Sequence, residues 1–307
     1  MTLTTEPAVP TSGIGGSPDS PGIEALGVAR PLRADIWRRF RRNRLAMVGL
    51  AFIVLLVLVA IFAPAIAPYS ITERTSGSAR QSPSLDHLFG TDNIGRDVFS
   101  RVVYGARVSL RIGVLATAIS LVIGVLLGAV AGFSGGTTGI LIMRLTDVFL
   151  AIPYIVLAVA IATVLGRSEN SIIIIIGVIG WTSICRIVRA SFLSLKRLEY
   201  VEAATALGFS RLRIMFRHIL PNALQPIIIY GTIAIGSVIL TEAALSFVGV
   251  GPQDPTPAWG KMVADAKSSL TNAPHMLFFP AGAIFLTVLS FVFIGDGLRD
   301  ALDPKLK

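Results

Sequence analysis

Apolar positions gather into six long runs, with charged residues confined almost wholly to the stretches between them. The runs are Ala46–Ala67, Ile112–Phe133, Asp147–Leu165, Ser171–Ile187, Pro226–Val250 and Met276–Ile294. Each approaches or exceeds the length a helix needs to cross a hydrocarbon core, so the pattern predicts an all-α polytopic membrane protein with six transmembrane helices. Ala65-Ile66-Ala67 resembles a signal-peptidase site. The apolar run before it is too long for a signal core and the polar lead-in is far too long, so the first helix is read as uncleaved. Ser171–Ile187 is short before Arg186, whose long side chain can snorkel to the headgroups. Pro153 removes a backbone donor and crowds the preceding turn, which predicts a kink in the third run.

The stretches between the runs carry the remaining organisation. Met1–Gly27 is rich in Thr, Ser, Gly and Pro without periodicity, so residues 1–31 read as a disordered tail. Residues 32–45 are basic and amphipathic. Ile36, Trp37 and Phe40 share one helix face and Arg38, Arg39, Arg41 and Arg42 surround the other, which suits a helix lying on an anionic membrane surface. Residues 68–106 form a loop between the first two spans. Its second half offers an apolar face of Val98, Phe99, Val102 and Val103, an Asp97–Arg101 pair one turn apart, and Tyr104 for an interfacial belt. Residues 107–296 hold the other five helices, and residues 297–307 form a second tail. Within the second run Ala116, Ser120, Gly124, Gly128 and Gly132 recur every four residues, a small-residue stripe that lets another helix approach closely.

Residues 196–224 interrupt the apolar rhythm. Glu202-Ala203-Ala204 with Leu207 reads as a short helix, and Gly208 suits the left-handed residue that ends one. Ser210 can cap a second helix, in which Leu212, Met215, Phe216 and Ile219 recur at helical spacing while Arg213 and Arg217 share another face. Leu220-Pro221 is expected to stop it. Two short helices hinged at a glycine make a rigid knob outside the bilayer, suited to being gripped by another protein.

Composition agrees with a membrane assignment: 53% of the 307 residues are hydrophobic, 15% are charged, and the mean hydropathy is +0.74. The net charge of +9 sits at the ends of apolar runs, the pattern of membrane anchoring rather than of nucleic-acid binding. Six spans place both termini on one side. With the tails and the two inner loops in the cytoplasm, 18 of the 27 Lys and Arg lie inside: seven before Ala46, Arg144, seven from Arg186 to Arg217 and three after Ile294. The opposite orientation puts 9 there, so the positive-inside rule places both termini and Tyr200–Leu224 in the cytoplasm. Cys185 stands alone in an apolar stretch, which excludes a disulfide framework and a thiolate metal site.

Candidate chemistry is sparse. Glu242 lies in an apolar span near its outer end. A carboxylate there is costly, so it serves a pathway, gate or subunit interface, or else a structural hydrogen bond. Arg144 and Asp147 are three apart at a helix end and are expected to pair structurally. His87, His218 and His275 are scattered over different loops and offer no metal set; Trp259 reads as an interfacial anchor; Asp296, Arg299, Asp300 and Asp303 read as a solvated end. No G-x-x-x-x-G-K-[ST] phosphate loop, H-E-x-x-H or G-x-S-x-G motif occurs, so neither a catalytic site nor a cofactor site is expected in this chain.

Several stretches, in order, resemble a known family. Glu202-Ala203-Ala204, Gly208 and Leu220-Pro221 are similar to the loop signature of permease subunits of bacterial ABC importers: Glu-Ala-Ala, three residues, glycine, nine residues, an apolar residue, any residue, Leu-Pro. His218 stands where the general pattern has isoleucine, and His-Ile-Leu-Pro resembles the peptide and nickel branch. Gly90-Thr91-Asp92, Gly95-Arg96-Asp97 and Ser100-Arg101 resemble the hallmark of the C-type subunit of dipeptide and oligopeptide permeases. The likeness extends over Arg41–Arg44, Met143–Asp147 with Ala151-Ile152-Pro153, Leu240–Gly251, Pro255–Gly260 and Gly295–Pro304.

The resemblance implies a type I ABC importer transmembrane fold: five core helices after an extra first helix, in the inner membrane. It implies a heterodimer with a homologous permease, two ABC ATPase subunits that carry ATP and Mg2+, and an extracytoplasmic substrate-binding protein. Glu202–Gly208 would be the coupling helix docked in an ATPase cleft, with Arg213, Arg217, Leu220 and Pro221 in the same coupling loop. The implied cargo is di- or oligopeptides, with nickel, haem, glutathione or another small solute as alternatives. A self-contained secondary transporter or channel is the rival class. It would want several intramembrane charges and inverted repeats, whereas Glu242 is the one clear intramembrane carboxylate here and no repeat is visible.

Overall fold

The computed structural model describes residues 32–75 and 79–302, so the expectations for the tail of residues 1–31 and for Asp303 lie outside the described residues. Every regular element among the described residues is helical. Chain order runs α1 (Leu32–Arg42), α2 (Arg44–Ile61), α3 (Ala63–Ile66), α4 (Val98–Ser134), α5 (Gly136–Ala151), α6 (Tyr154–Leu165) and α7 (Glu169–Leu195). There follow α8 (Glu199–Ala206), α9 (Arg211–Arg213), a π-helical stretch Ile214–Ile219, α10 (Leu220–Phe247), α11 (Trp259–Ala266) and α12 (His275–Leu302).

Among the described residues five helices are long and apolar enough to cross a bilayer, and α5 with α6, bent by 90° at their break, bring the number up to six. The expected kink at Pro153 is thus a full break. Pro153 offers no N–H and restrains the residue before it to an extended conformation, and Ile152 takes φ −92°, ψ 127°. Helix α4 begins at Val98, well before the apolar run does, because its outer turns are covered by protein rather than lipid: Ser100, Arg101 and Ser109 are buried there.

The interior is organised by α4 against α7. A Cβ on Gly124 would stand 2.6 Å from the Ile184 Cβ, one on Gly128 2.7 Å from the Cys185 carbonyl, and one on Gly132 2.5 Å from the Phe192 Cβ. Ser120 adds a hydroxyl bond to the Gly177 carbonyl at 2.9 Å. Close approach of this kind supplies the van der Waals contact that lipid cannot drive by itself. Helix α12 packs on α10 and α2, and α1 folds back so that Phe40, with Ala46 of α2, buries against Ile294 and Ala301. Val48, Val54, Leu55 and Phe285 remain exposed, as faces turned to hydrocarbon should be.

Candidate functional site

At one end of the bundle α8, α9 and the π-helical stretch form the elbow. Gly208 takes φ +76°, and its N–H meets the Thr205 carbonyl at 3.0 Å while Phe209 N–H reaches the Ala204 carbonyl at 3.2 Å. That is the Schellman closure of a helix, open to glycine because the left-handed conformation crowds a Cβ. Ser210 accepts from Arg213 N–H at 3.4 Å and starts the next helix.

One side of the elbow is buried. Val201, Ala204, Ile214, Met215 and Ile219 pack with Ile184, Val188 and Phe192 of α7. Asn222 ties its two ends, donating to the Tyr200 hydroxyl at 3.2 Å and to the His218 carbonyl at 2.7 Å. Lys196 donates to the Phe133 carbonyl at 2.6 Å, closing the end of α4. The other side is open. Leu207 is 73% exposed and Leu212 66%, with Phe209, Phe216, Glu202, Ala203 and Arg217 exposed beside them. Arg213 lies over the Phe209 ring at 5.3 Å, and the His218 ring stacks on Phe209 with centroids 5.6 Å apart.

The helical spacing assigned to this segment needs correction. Leu212 and Phe216 are exposed and Ile214 is buried, because the wider π turn shifts the faces that a regular helix would show. Pro221 does not stop the helix either. It follows the π-helical turn, whose widened ladder (Leu220 N–H to the Met215 carbonyl) takes up its missing N–H, and one continuous helix runs on into the span.

The break between α5 and α6 opens a chamber of about 410 Å³ bounded by α4, α7 and α10. Thr117, Tyr154, Ser183, Tyr230, Ser237 and Thr241 line it among aliphatic side chains, and no charged residue or histidine does. Sequence reasoning missed this site. Serine and threonine in spanning helices commonly bond their own preceding turn, as Thr241 does to the Ser237 carbonyl at 2.8 Å, and such residues look alike in a sequence.

Glu242 is 1% exposed on α10 and its Oε1 accepts the Ser246 hydroxyl at 2.6 Å. It faces α11, where a Cβ on Gly260 would stand 3.0 Å from its Oε2, and it is absent from the chamber wall. Trp259 is no interfacial anchor: it is fully buried, and its indole N–H donates to the Val102 carbonyl at 2.9 Å. The Arg144–Asp147 pair is also corrected. Asp147 meets Arg186 at 2.7 Å, because the packing of α5 on α7 brings the two together, and Arg144 is exposed.

At the opposite end, the loop before α4 and the loop after α10 are clamped by charge. Arg96 Nε meets Asp92 at 2.6 Å and its Nη1 meets Asp254 at 2.8 Å, with the buried Arg101 3.6 Å from Asp254 and Lys261 paired to Asp265. Burial works against the Asp254 carboxylate, but the Arg96 hydrogen bond and the charges of Arg96, Lys261 and Arg101 outweigh it and hold its pKa below the ordinary value. Burial likewise opposes the Arg96 charge, and Asp254 and Asp92 more than compensate. Asp97 does not pair with Arg101. It caps α4 through Ser100 N–H at 2.7 Å and meets His87 Nδ1 at 2.9 Å, having turned back over its own helix start.

A polytopic helical bundle with an exposed elbow, a broken span and an uncharged interior chamber defines a membrane transport subunit. Residues 124–307 match the family described as binding-protein-dependent transport system inner membrane component, and residues 32–83 match the N-terminal TM domain of oligopeptide transport permease C. The chain belongs to the binding-protein-dependent transport permease family, as a permease subunit of an ABC importer.

The dipeptide transport system permease protein DppC of Alkalihalophilus pseudofirmus is 44% identical over 94% of this chain and 95% of its own. The oligopeptide transport system permease protein OppC of Bacillus subtilis is 45% identical, and the glutathione transport system permease protein GsiD of Escherichia coli O6:K15:H31 47%, each over 89% of this chain and 90% of its own. A solved structure of the MetNI methionine ABC transporter in inward-facing conformations superposes on 66% of this chain and 97% of its own, at TM-score 0.55 and 21% identity. That likeness shows the fold, a type I ABC importer transmembrane subunit. The chain is therefore a multi-pass inner-membrane transport subunit and not an enzyme, its ATPase being a separate subunit.

Proposed function

We propose that this chain is the C-type permease of a di- and oligopeptide importer, paired with a homologous permease and served by two ATPases and an extracytoplasmic binding protein. Both termini and the elbow face the cytoplasm, as the distribution of Lys and Arg supports. ATP and Mg2+ act on the partner subunits. Binding of nucleotide there shifts the docked elbow, and the packed helices carry that shift to the gate, since a bistable bundle responds to differential binding at one end.

The observation that carries this reading is the elbow's two-sidedness: Val201, Ala204 and Ile214 anchor it to α7 while Leu207, Leu212 and Phe216 stay uncovered around Gly208. Apolar side chains held out rigidly at a bundle's end mark a protein contact. For the cargo, relatives named for dipeptides, oligopeptides and glutathione point to peptides. A chamber wall without His, Cys, Asp or Glu favours them over nickel. Glu242, bonded to Ser246 and turned to α11, is assigned to holding that end together rather than to the path. Reversing charge at Glu202 with Lys, or deleting Gly208, should abolish retention of the ATPase and uptake of trialanine. Unchanged uptake at normal expression rejects the lever.

A further inference from the structure

We infer that the groove where α1 meets α2 and α12 holds one anionic glycerophospholipid, its acyl chain in the groove and its phosphate on the arginines beside it. The groove, of about 370 Å³, is lined by Ile36, Trp37, Phe40, Leu50, Ile294 and Leu298, all of them apolar. Phe40 and Ile294 are its buried members, whereas Trp37 is 50% exposed and Ile36, Leu50 and Leu298 are half-buried, so the groove is open to a chain from outside. The Trp37 ring stacks on Phe40 with centroids 5.9 Å apart. Gly297 has no side chain to keep Ala46 and the Phe40 ring off α12, so α1 is seated on the spans rather than loose on a membrane surface. None of these residues lines the chamber, and the site is independent of the cargo.

Charge selects the occupant. Arg38, Arg39, Arg41, Arg42 and Arg44 stand at the junction of α1 and α2. Asp35 pairs with Arg38 at 2.8 Å, and Asp300 accepts from Asn43 at 3.2 Å. Arg41, Arg42 and Arg44 are exposed and meet no carboxylate among the described residues. Arg41 lies four residues from Trp37, a spacing that makes neighbours on one helix face. Arg44 opens α2, the helix that supplies Leu50, and Ile294 lies eight residues before the end of α12. The groove therefore runs about 9–12 Å from the helix ends toward the middle of the bilayer. Arginines pair with phosphate through two parallel N–H donors, and a basic pocket between spanning helices at the membrane face suits an anionic headgroup. A partner from solution is disfavoured, because the groove follows the flank of spanning helices, where lipid is the neighbour.

The purified importer complex, delipidated in neutral detergent and titrated with phosphatidylglycerol, tests this, with bound lipid counted by native mass spectrometry. One phosphatidylglycerol should be retained in preference to phosphatidylcholine. Free glycerol phosphate should not bind, which separates a lipid from a soluble phosphate ester. Arg41→Gln and Arg44→Gln should each raise the half-saturating concentration about five-fold, while Arg144→Gln, exposed on α5, should leave it unchanged. The lipid-free thermal midpoint of the arginine variants should match the wild type, and phosphatidylglycerol should raise the wild-type midpoint more than theirs. Trp37→Gln removes apolar wall and keeps every arginine, so it should weaken retention several-fold; Ile36→Ser is a second variant of the same wall. Equal retention of phosphatidylglycerol and phosphatidylcholine overturns the site. So does a complex that retains neither, since the groove is then covered by protein. Weaker binding by the arginine variants with both wall variants unchanged also overturns it, because the attraction is then spread over the membrane surface.

Discussion

The Trp259 indole occupies the space that a side chain at Gly105 would need: a Cβ there would stand 2.6 Å from its Cδ1 and 2.5 Å from the Pro257 carbonyl. One residue is the lid of α11 and the other the seat on α4. Gly105→Val should overpack this joint at a cost of about 1–3 kcal/mol, seen as a lower thermal midpoint of the detergent-solubilised complex. Trp259→Phe keeps the ring volume nearly whole and removes only the N–H bond to Val102, so its loss should be smaller.

Gly208 separates conformation from chemistry at the elbow. At φ +76° a β-branched residue is strained while asparagine is tolerated. Gly208→Val should weaken retention of the ATPase in affinity purification, and Gly208→Asn should retain most of it. Equal retention by both would show that the left-handed turn is not what presents Leu207 and Leu212.

Asp147 had two arginines to choose from, and a double-mutant cycle reports which it uses. Asp147→Asn combined with Arg186→Gln should show a coupling of about 0.2–1 kcal/mol, the range for half-exposed pairs. The cycle with Arg144→Gln should give none. Thermal unfolding of the four variants in each cycle measures both.

The outer clamp should be indifferent to pH over the physiological range. A carboxyl whose folded pKa lies below its unfolded one contributes stability in full above the unfolded value, about 3.9 for aspartate, and loses it as pH falls through the lower folded value. With Asp254 depressed by Arg96, hydrogen-exchange protection of residues 79–97 should stay flat from about pH 8 to 5 and fall only below about pH 4. Asp254→Asn should lower that protection above about pH 4, match the wild type in acid, and flatten the acid limb.

Much of this protein was legible because a bilayer is a severe solvent. A spanning segment must satisfy its own backbone and be apolar along its length, so run length alone marks the helices. The Gly208 turn was legible for a different reason: a Schellman closure and a serine cap involve partners within five residues, and local chemistry is written locally. The residues that misled are those whose type suits two environments. Tryptophan serves an interface or a core, and Trp259 took the core. Proline ends a helix or is taken up in a widened turn, and Pro221 follows the π-helical turn of a helix that runs on.

From its sequence alone this chain is determined to be a helical membrane protein with a glycine-hinged loop between two spans, its role as a permease resting on the family resemblance. Those properties follow from hydrophobic length, backbone sterics and motif spacing, each of which is set within a few turns of chain. Only the tertiary structure decided that Asp147 meets Arg186, that Glu242 turns to α11, and that Trp259 is buried against α4. These depend on how helices distant in sequence rotate against each other, and a rotation of a few tens of degrees exchanges one partner for another.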